Sequence, residues 1–197
     1  MTLILGIGAS PRKDGNSDKL LKQALAGCRE TGAETETVFL RDYVFGGCIG
    51  CEKCRKSGKC LGLKDGMQLL YPLIERADGL ILACPTHNYN VTAWMKAFID
   101  RLYCYYIFSN DRPRQWSSRL ADQGRKASLI AVCEQADEKD MGFTLPAMRY
   151  PLEALGYSIC EELPVFAVFD KGIAAKSKKI MAQADGLGRR LAEKLGA

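Results

Sequence analysis

Four cysteines within thirteen residues are the side chains in this chain best suited to bind a metal. They are Cys48, Cys51, Cys54 and Cys60, with the spacing C-x2-C-x2-C-x5-C. Gaps of two residues let successive sulfur atoms converge on one centre from a single loop, and bacterial iron–sulfur sites use a similar run. Glycines inside and beside the run allow the tight backbone turns that such wrapping needs. The spacing predicts a metal site and favours an iron–sulfur cluster over zinc.

A second loop, residues 8–17, collects polar donors in front of an amphipathic stretch. The donors are the side chains of Ser10, Arg12, Asn16 and Ser17. An arginine fork matches phosphate oxygens, and a helix start adds free N–H groups and a partial positive charge. The loop lacks the Gly-Lys-Ser/Thr of a P-loop, and Pro11 stands where a dinucleotide fingerprint needs its third glycine. We predict a phosphate site here, with an ordinary capped turn as the alternative.

A third polar loop follows a continuous apolar run. It consists of Pro85, Thr86, His87, Asn88 and Tyr89. The planar side chains of His87, Asn88 and Tyr89 suit the edge and face of an aromatic ring system, and His87 is the only histidine in the chain. Taken alone, these residues fit an ordinary surface turn. Their expected position beside the phosphate loop favours a site for a flavin ring.

Hydrophobic periodicity places the three loops on alternating strands and helices. The strands are predicted at 2–8, 35–40, 79–84, 127–133 and 157–169, and the helices at 17–31, 65–77, 91–103, 144–155 and 173–195. Five strands alternating with helices predict an α/β fold, a doubly wound five-stranded parallel sheet of the flavodoxin-like order 2-1-3-4-5. Ligands of such sheets bind beyond the carboxyl ends of the strands, where the strand order reverses.

Length and composition indicate a single globular domain over residues 1–197, with a cysteine-rich insertion at about 46–62. Hydrophobic residues make up 47% and charged residues 26%, and no apolar run reaches the eighteen or so residues of a membrane span. The N-terminus lacks a signal-peptide pattern, so we expect a cytoplasmic protein in which nine cysteines serve metal or redox chemistry. The net charge of +5 is mild and the basic residues are scattered, so we do not expect nucleic acid as a partner.

The motifs resemble those of the NAD(P)H-dependent FMN reductase group. Residues 8–17 resemble its G-S-P-R-x-x-G-N-S phosphate loop, and residues 85–101 are similar to its flavin-ring loop and the helix that follows. The cysteine run at 48–60 is similar to the motif of iron–sulfur flavoproteins, a branch of that group. The resemblance covers roughly residues 1–101, and three motifs in the same order make it specific.

The resemblance implies two cofactors and an assembly. FMN would bind with its phosphate at Ser10, Arg12, Asn16 and Ser17 and its ring at Pro85, Thr86, His87, Asn88 and Tyr89. A 4Fe–4S cluster would bind to Cys48, Cys51, Cys54 and Cys60. Since members of the family are typically dimers or tetramers, the resemblance also implies a homodimer or homotetramer. The segment 103–119 is interpreted as a subunit interface or a covering loop, because Tyr, Trp and Arg are enriched at interfaces.

Together these features predict an FMN-dependent oxidoreductase that passes electrons between FMN and a 4Fe–4S cluster. NAD(P)H, a small electron acceptor or a redox protein such as a ferredoxin would be its partners. We expect no side chain to act as an essential acid or nucleophile. Two alternatives remain: a cluster-free NAD(P)H-dependent FMN or quinone reductase with zinc or an empty site at the cysteines, and a non-enzymatic flavin electron carrier.

Overall fold

The computed structural model describes residues 1–197, and a five-stranded parallel sheet forms its centre. The chain has seven strands, of which five form this sheet and two, β4 and β5, form a separate pair. They are β1 (Leu3–Gly8), β2 (Glu34–Phe39), β3 (Gly79–Pro85), β4 (Tyr106–Phe108), β5 (Trp116–Ser118), β6 (Lys126–Val132) and β7 (Ser158–Val165). The main sheet has the order β2-β1-β3-β6-β7, which is the order 2-1-3-4-5 counted over its own five strands. The predicted doubly wound, flavodoxin-like α/β sheet is therefore confirmed.

Helices cover both faces of this sheet. They are α1 (Asn16–Glu30), α2 (Cys54–Ser57), α3 (Met67–Arg76), α4 (Ala93–Arg101), α5 (Glu138–Met141), α6 (Thr144–Ala154) and α7 (Lys178–Lys194). Helices α1 and α7 pack on one face, and α3, α4 and α6 pack on the other. No helix combines the length and the apolar character that crossing a membrane requires.

The central strands are apolar along their whole length because both of their faces are buried. In β3, Leu80 and Leu82 belong to one hydrophobic layer, whereas Ile81 and Ala83 belong to the opposite layer. This alternation is the period of a strand, and continuous apolar runs are typical of parallel sheets covered on both sides. Since all five strands are parallel, the loops at their carboxyl ends meet at one edge of the sheet.

Strand β7 and residues 103–119 are among the parts of the chain that differ from the sequence prediction. Strand β7 ends at Val165 rather than at residue 169, and Pro164 lies in it without disrupting the sheet because β7 is an edge strand. Within residues 103–119, which the sequence analysis interprets as a subunit interface or a covering loop, β4 and β5 pair as a short antiparallel hairpin. The shorter β7 leaves a loop before α7 that reaches the edge where the other loops meet.

Candidate functional site

A cleft of about 370 Å³ opens at the carboxyl ends of β1, β3, β6 and β7. Eight of the nine residues predicted to bind the cofactor line it: Ser10, Arg12, Asn16, Ser17, Pro85, Thr86, His87 and Asn88. The ninth, Tyr89, is 58% exposed and is not part of the lining. The structure thus brings the loop after β1 and the loop after β3 together, as the sequence predicts for neighbouring parallel strands.

The end of the cleft at helix α1 carries a buried polar atom without a partner. Ser17, in the first turn of α1, is only 2% exposed, and its Oγ has no hydrogen-bond partner within the protein. Buried hydroxyl groups are normally hydrogen-bonded, so an unpaired one lining a cleft indicates a ligand that supplies the missing bond. The first N–H groups of α1, which lack acceptors within the helix, lie in the same turn. This end of the cleft therefore fits the phosphate of FMN.

Arg12 is an exposed residue that lines the cleft and is positioned by the loop after β7. Its guanidinium carbon lies 4.6 Å from the centre of the Phe169 ring, and its Nη1 donates to the main-chain oxygen of Phe169 at 3.3 Å. The N–H of Arg12 donates to Ser10 Oγ at 3.1 Å, which closes the turn between the two residues. Arg12 forms no ion pair within the protein, so most of its five donors remain for an anion.

The side chain of Asn16 is already fully used within the protein. Its Nδ2 donates to the main-chain oxygens of Phe169, at 3.4 Å, and Asp170, at 3.0 Å. Its Oδ1 accepts from the N–H of Ala174 at 3.1 Å. The amide therefore joins α1 to the loop after β7, and both of its N–H groups donate within the protein.

The loop after β3 is held by the hydroxyl group of Thr92 and a tight turn. Thr92 Oγ1 accepts from the N–H of Met95 at 3.3 Å, which caps α4, and donates to the main-chain oxygen of Ala9 at 3.0 Å. This bond ties the start of α4 to the loop after β1. Asn88 and Tyr89 adopt positive φ angles of 47° and 60°, which turn the chain sharply between His87 and Asn90.

The cleft also has residues that the sequence analysis did not identify. They are Gly15, Val132, Glu134, Val168, Phe169 and Lys171. Most belong to the segments after β6 and β7, which carry no recognisable motif. Strand order places these segments at the same edge as the phosphate loop, and that topology was the one available signal.

The four cysteines lie around a second, much smaller cavity. Cys48, Cys51, Cys54 and Cys60 line a space of about 30 Å³ together with Arg101 and Tyr103. No group of three or more His, Cys, Asp or Glu side chains is arranged so that it could hold a metal ion. The predicted ligands are therefore neighbours, and the structure by itself does not show a metal centre.

The environments of the cysteines differ. Burial raises the pKa of the Cys54 thiol, and the neighbouring thiols of Cys60, Cys48 and Cys51 add to that effect. Burial also acts to raise the pKa of Cys60, but Tyr71, the Leu63 amide and the positive charge of Arg101 together hold it below its ordinary value. Since thiolates are the ligands of metals, Cys60 is better prepared for binding than Cys54.

The β4–β5 hairpin packs against the cysteine segment. Glu52 Oε2 pairs with Arg55 Nη1 at 3.3 Å, and its Oε1 pairs with Arg114 Nη1, from the end of the hairpin turn, at 3.1 Å. Arg119, just after β5, donates to the main-chain oxygen of Gly58. The aromatic rings of Tyr103, Tyr106, Phe108 and Trp116 form a cluster beside these pairs, in which Tyr103 and Phe108 are stacked and Trp116 meets Tyr106 edge to face. The hairpin is thus tied to the cysteine segment by side-chain contacts.

Two curated proteins share the motif-bearing half of the chain. An iron–sulfur flavoprotein from Archaeoglobus fulgidus is 43% identical over 101 residues, which are 51% of this chain and 46% of that protein. An iron–sulfur flavoprotein from Methanocaldococcus jannaschii is 40% identical over 98 residues, or 50% of each chain. The chain spans about half the length of the curated relatives it matches.

The fold is similar to that of solved flavoproteins, and a family model matches the chain itself. The NAD(P)H:quinone oxidoreductase from Methanothermobacter marburgensis superimposes with a TM-score of 0.70 at 17% identity, over 96% of each chain. The model of the NADPH-dependent FMN reductase family matches residues 2–133, which include the loops after β1 and β3 and all four cysteines of the run. Because that match spans more than half of its residues, the chain belongs to the NADPH-dependent FMN reductase family.

Proposed function

We propose that this protein is an FMN-dependent oxidoreductase that passes electrons between FMN and a 4Fe–4S cluster. The observation that carries the proposal is the cleft at the carboxyl edge, where eight predicted cofactor residues lie together beside the unpaired hydroxyl of Ser17. Membership of the FMN reductase family supports FMN as the occupant. The similarity to iron–sulfur flavoproteins supports the cluster.

The residues of the cleft divide into those for the phosphate and those for the ring. Ser17, Arg12 and the first turn of α1 would hold the phosphate, because they combine a free hydroxyl, a cation and unpaired N–H groups. The segment from Pro85 to Asn88 would lie against the flavin ring. When bound, FMN supplies hydride acceptance and single-electron release. The protein's own part is to bind and orient it, so we expect no essential acid or nucleophile among these side chains.

The spacing of the cysteines and the similarity to iron–sulfur flavoproteins support a cluster over a single zinc ion. A 4Fe–4S cluster takes one cysteine at each of its four irons. Cys48, Cys51, Cys54 and Cys60 line one cavity and would be these four ligands. The half-buried sites of Cys54 and Cys60 would shield a cluster on the protein side.

The partners follow from this chemistry. We expect NAD(P)H or a redox protein such as a ferredoxin to exchange electrons with the pair of cofactors, and a small acceptor to take them up. A homodimer or homotetramer and a cytoplasmic location remain part of the proposal.

One experiment tests both cofactors. The protein is purified without oxygen, and FMN, iron, acid-labile sulfide and zinc are measured for the wild type and Cys51→Ala. We expect FMN with equal iron and sulfide in the wild type, and FMN alone in the variant, since Cys51 lies away from the cleft. Absence of flavin, or its loss in Cys51→Ala, would contradict the proposal. FMN with zinc or no metal, together with turnover of NAD(P)H, would support the cluster-free reductase instead.

A further inference from the structure

A buried arginine at the end of α4 contacts the cysteine site. Arg101 is 2% exposed and lines the cavity that the four cysteines share. Its Nη2 donates to Cys60 Sγ at 3.5 Å, and its Nη1 donates to the main-chain oxygen of Gly46 at 3.0 Å. One guanidinium thus joins both ends of the cysteine-rich segment, because Gly46 precedes the first cysteine of the run and Cys60 is the last.

A carboxylate holds this guanidinium in a two-pronged ion pair. Asp65 Oδ2 lies 2.6 Å from Arg101 Nη1, and Asp65 Oδ1 lies 3.0 Å from Arg101 Nη2. The amides of Gly46 and Met67 donate to the same carboxylate, each at 3.2 Å. A bidentate pair of this kind fixes the orientation of the arginine fork as well as its position. Arg101 is therefore a rigid donor beside the sulfur of Cys60.

One donor of this arginine has no partner in the protein. The Nε of Arg101 is buried and makes no hydrogen bond, although the two Nη atoms make four. Leaving a buried donor of a charged group unpaired is costly, so the arrangement indicates an acceptor that the protein alone does not supply. The inorganic sulfides and cysteine thiolates of an iron–sulfur cluster are acceptors of this kind.

Helix α4 also connects the two candidate sites. Its first turn is capped by Thr92, which donates to the main-chain oxygen of Ala9 in the loop after β1. Its last residue is Arg101. The element that follows the proposed flavin loop thus ends in the cation at the proposed cluster.

We propose that Arg101, oriented by Asp65, is a positioning residue that hydrogen-bonds the sulfur of the cluster at Cys60 and raises the reduction potential of the cluster. This inference rests on the proposed function. Reduction of a cluster adds one negative charge, and a buried cation with N–H groups directed at its sulfurs stabilises the reduced form more than the oxidised form. Asp65 opposes that effect through its own charge, so the two residues act with opposite signs.

The test is a redox titration of the cluster, followed by its electron paramagnetic resonance signal, in the wild type, Arg101→Gln and Asp65→Asn. Arg101→Gln should make reduction at least tenfold less favourable, a shift of about 59 mV to lower potential for one electron. Asp65→Asn should shift the potential upwards. A purely structural role would alter cluster content without producing opposite shifts.

Further variants control for charge and for folding. Arg190 pairs with Glu161 on β7, at the opposite edge of the sheet from β2, the strand that precedes the cysteine segment. Arg190→Gln therefore removes the same charge far from the cysteines and should leave the reduction potential unchanged. Where Arg101→Gln does not retain iron, Arg101→Lys keeps the charge, loses the fork and should shift the potential downwards to a smaller extent. Potentials that stay at the wild-type value, or that move in the same direction in the Arg101 and Asp65 variants, would overturn the role of Arg101. A wild-type protein without iron and sulfide after reconstitution would overturn the proposed cluster itself, and this role with it.

Discussion

Two buried serines with unpaired hydroxyl groups differ in whether a ligand could reach them. Ser17 and Ser128 are both buried, and neither Oγ has a hydrogen-bond partner in the protein. Ser128 lies within β6 and faces no cleft, whereas Ser17 lines the cleft at the start of α1. The unpaired hydroxyl of Ser17 therefore has a place from which an acceptor can approach it, and the hydroxyl of Ser128 does not.

We predict that Ser17→Ala weakens FMN binding without lowering the stability of the apoprotein. A hydrogen bond to a charged group contributes about 1.5 kcal/mol or more, so the dissociation constant should rise roughly tenfold. The apoprotein loses no hydrogen bond, and its melting temperature should stay the same or increase. Quenching of FMN fluorescence on titration with apoprotein measures the affinity. The matched control is Ser128→Ala, and an equal effect of the two changes would exclude a phosphate contact at Ser17.

The sequence identified the polar residues of the phosphate loop but not how each one is used. Ser10, Arg12, Asn16 and Ser17 are all donors by type, and all four line the cleft. The side-chain amide of Asn16 forms its hydrogen bonds with the main chain at residues 169–174, more than 150 positions away. No local sequence pattern predicts such distant partners. For the same reason, the sequence did not predict the contact between the Phe169 ring and the guanidinium of Arg12.

At the scale of elements, the carboxylate of Glu52 joins the β4–β5 hairpin to the cysteine segment by ion pairs. This carboxylate bridges Arg55 in α2 and Arg114 beside β5, and Arg55 also donates to the main-chain oxygen of Ser109 at 3.4 Å. Cys48 and Cys51 are exposed, whereas Cys54 and Cys60 are partly buried against the core. The geometry of the segment therefore depends on ties of this kind.

We predict that Glu52→Gln increases the rate at which a chelator removes iron from the loaded protein several-fold. FMN affinity should not change, because Glu52 does not line the flavin cleft, and the melting temperature should change little, because half-exposed ion pairs contribute little to stability. Glu161→Gln, which breaks the Arg190 pair on β7, is the control. Equal iron release from wild type and Glu52→Gln would show that the hairpin does not hold the segment.

The packing of α1 on α7 depends on glycines that bring the two backbones together. A Cβ atom built at Gly188 would lie 1.8 Å from the main-chain oxygen of Ala24, and one at Gly27 would lie 2.3 Å from that of Asp185. By contrast, a Cβ at Gly186 would meet only the tip of the Arg190 side chain, which can move away. The two helices thus lie closer than any larger residue at these contacts permits.

We predict that Gly188→Ala and Gly186→Ala have opposite effects on the free energy of unfolding. The first forces α1 and α7 apart and should cost about 3 kcal/mol, the upper range of overpacking. The second removes a partly exposed glycine from a helix and should add up to about 1 kcal/mol. Urea unfolding followed by circular dichroism measures both. Equal stability of Gly188→Ala and the wild type would mean that the helices can separate without loss.

The strands of the main sheet and the longer helices that pack on it were predictable, because each of them has a continuous or periodic apolar pattern of its own. The β4–β5 hairpin was not, since each strand has only three residues and its order comes from pairing with the other and from ties to the cysteine segment. Helix α7 was predicted to start at residue 173, but a 3-10 turn over Ile173–Lys176 precedes its true start at Lys178, where Ser177 accepts from the N–H of Ile180.

At the scale of the whole molecule, the cleft joins parts of the chain that lie far apart in sequence. Its lining comes from residues 10–17, 85–88, 132–134 and 168–171, which follow four of the five strands of the main sheet. A ligand that contacts all four segments stabilises the arrangement of the entire sheet. Ligand binding should therefore be visible as a change in global unfolding, and not only as a local change.

We predict that FMN raises the melting temperature of the flavin-free protein and that riboflavin does so much less at equal concentration. At a free concentration one hundred times its dissociation constant, FMN should add about 2.7 kcal/mol, which corresponds to roughly 5–11 °C for a chain of this size. Riboflavin carries the same ring without the phosphate, so it forgoes the contacts at Ser17, Arg12 and the start of α1. Scanning calorimetry on one preparation compares the two ligands directly. An equal shift would mean that the phosphate end of the cleft contributes nothing, and no shift with either would mean that the cleft does not bind flavin.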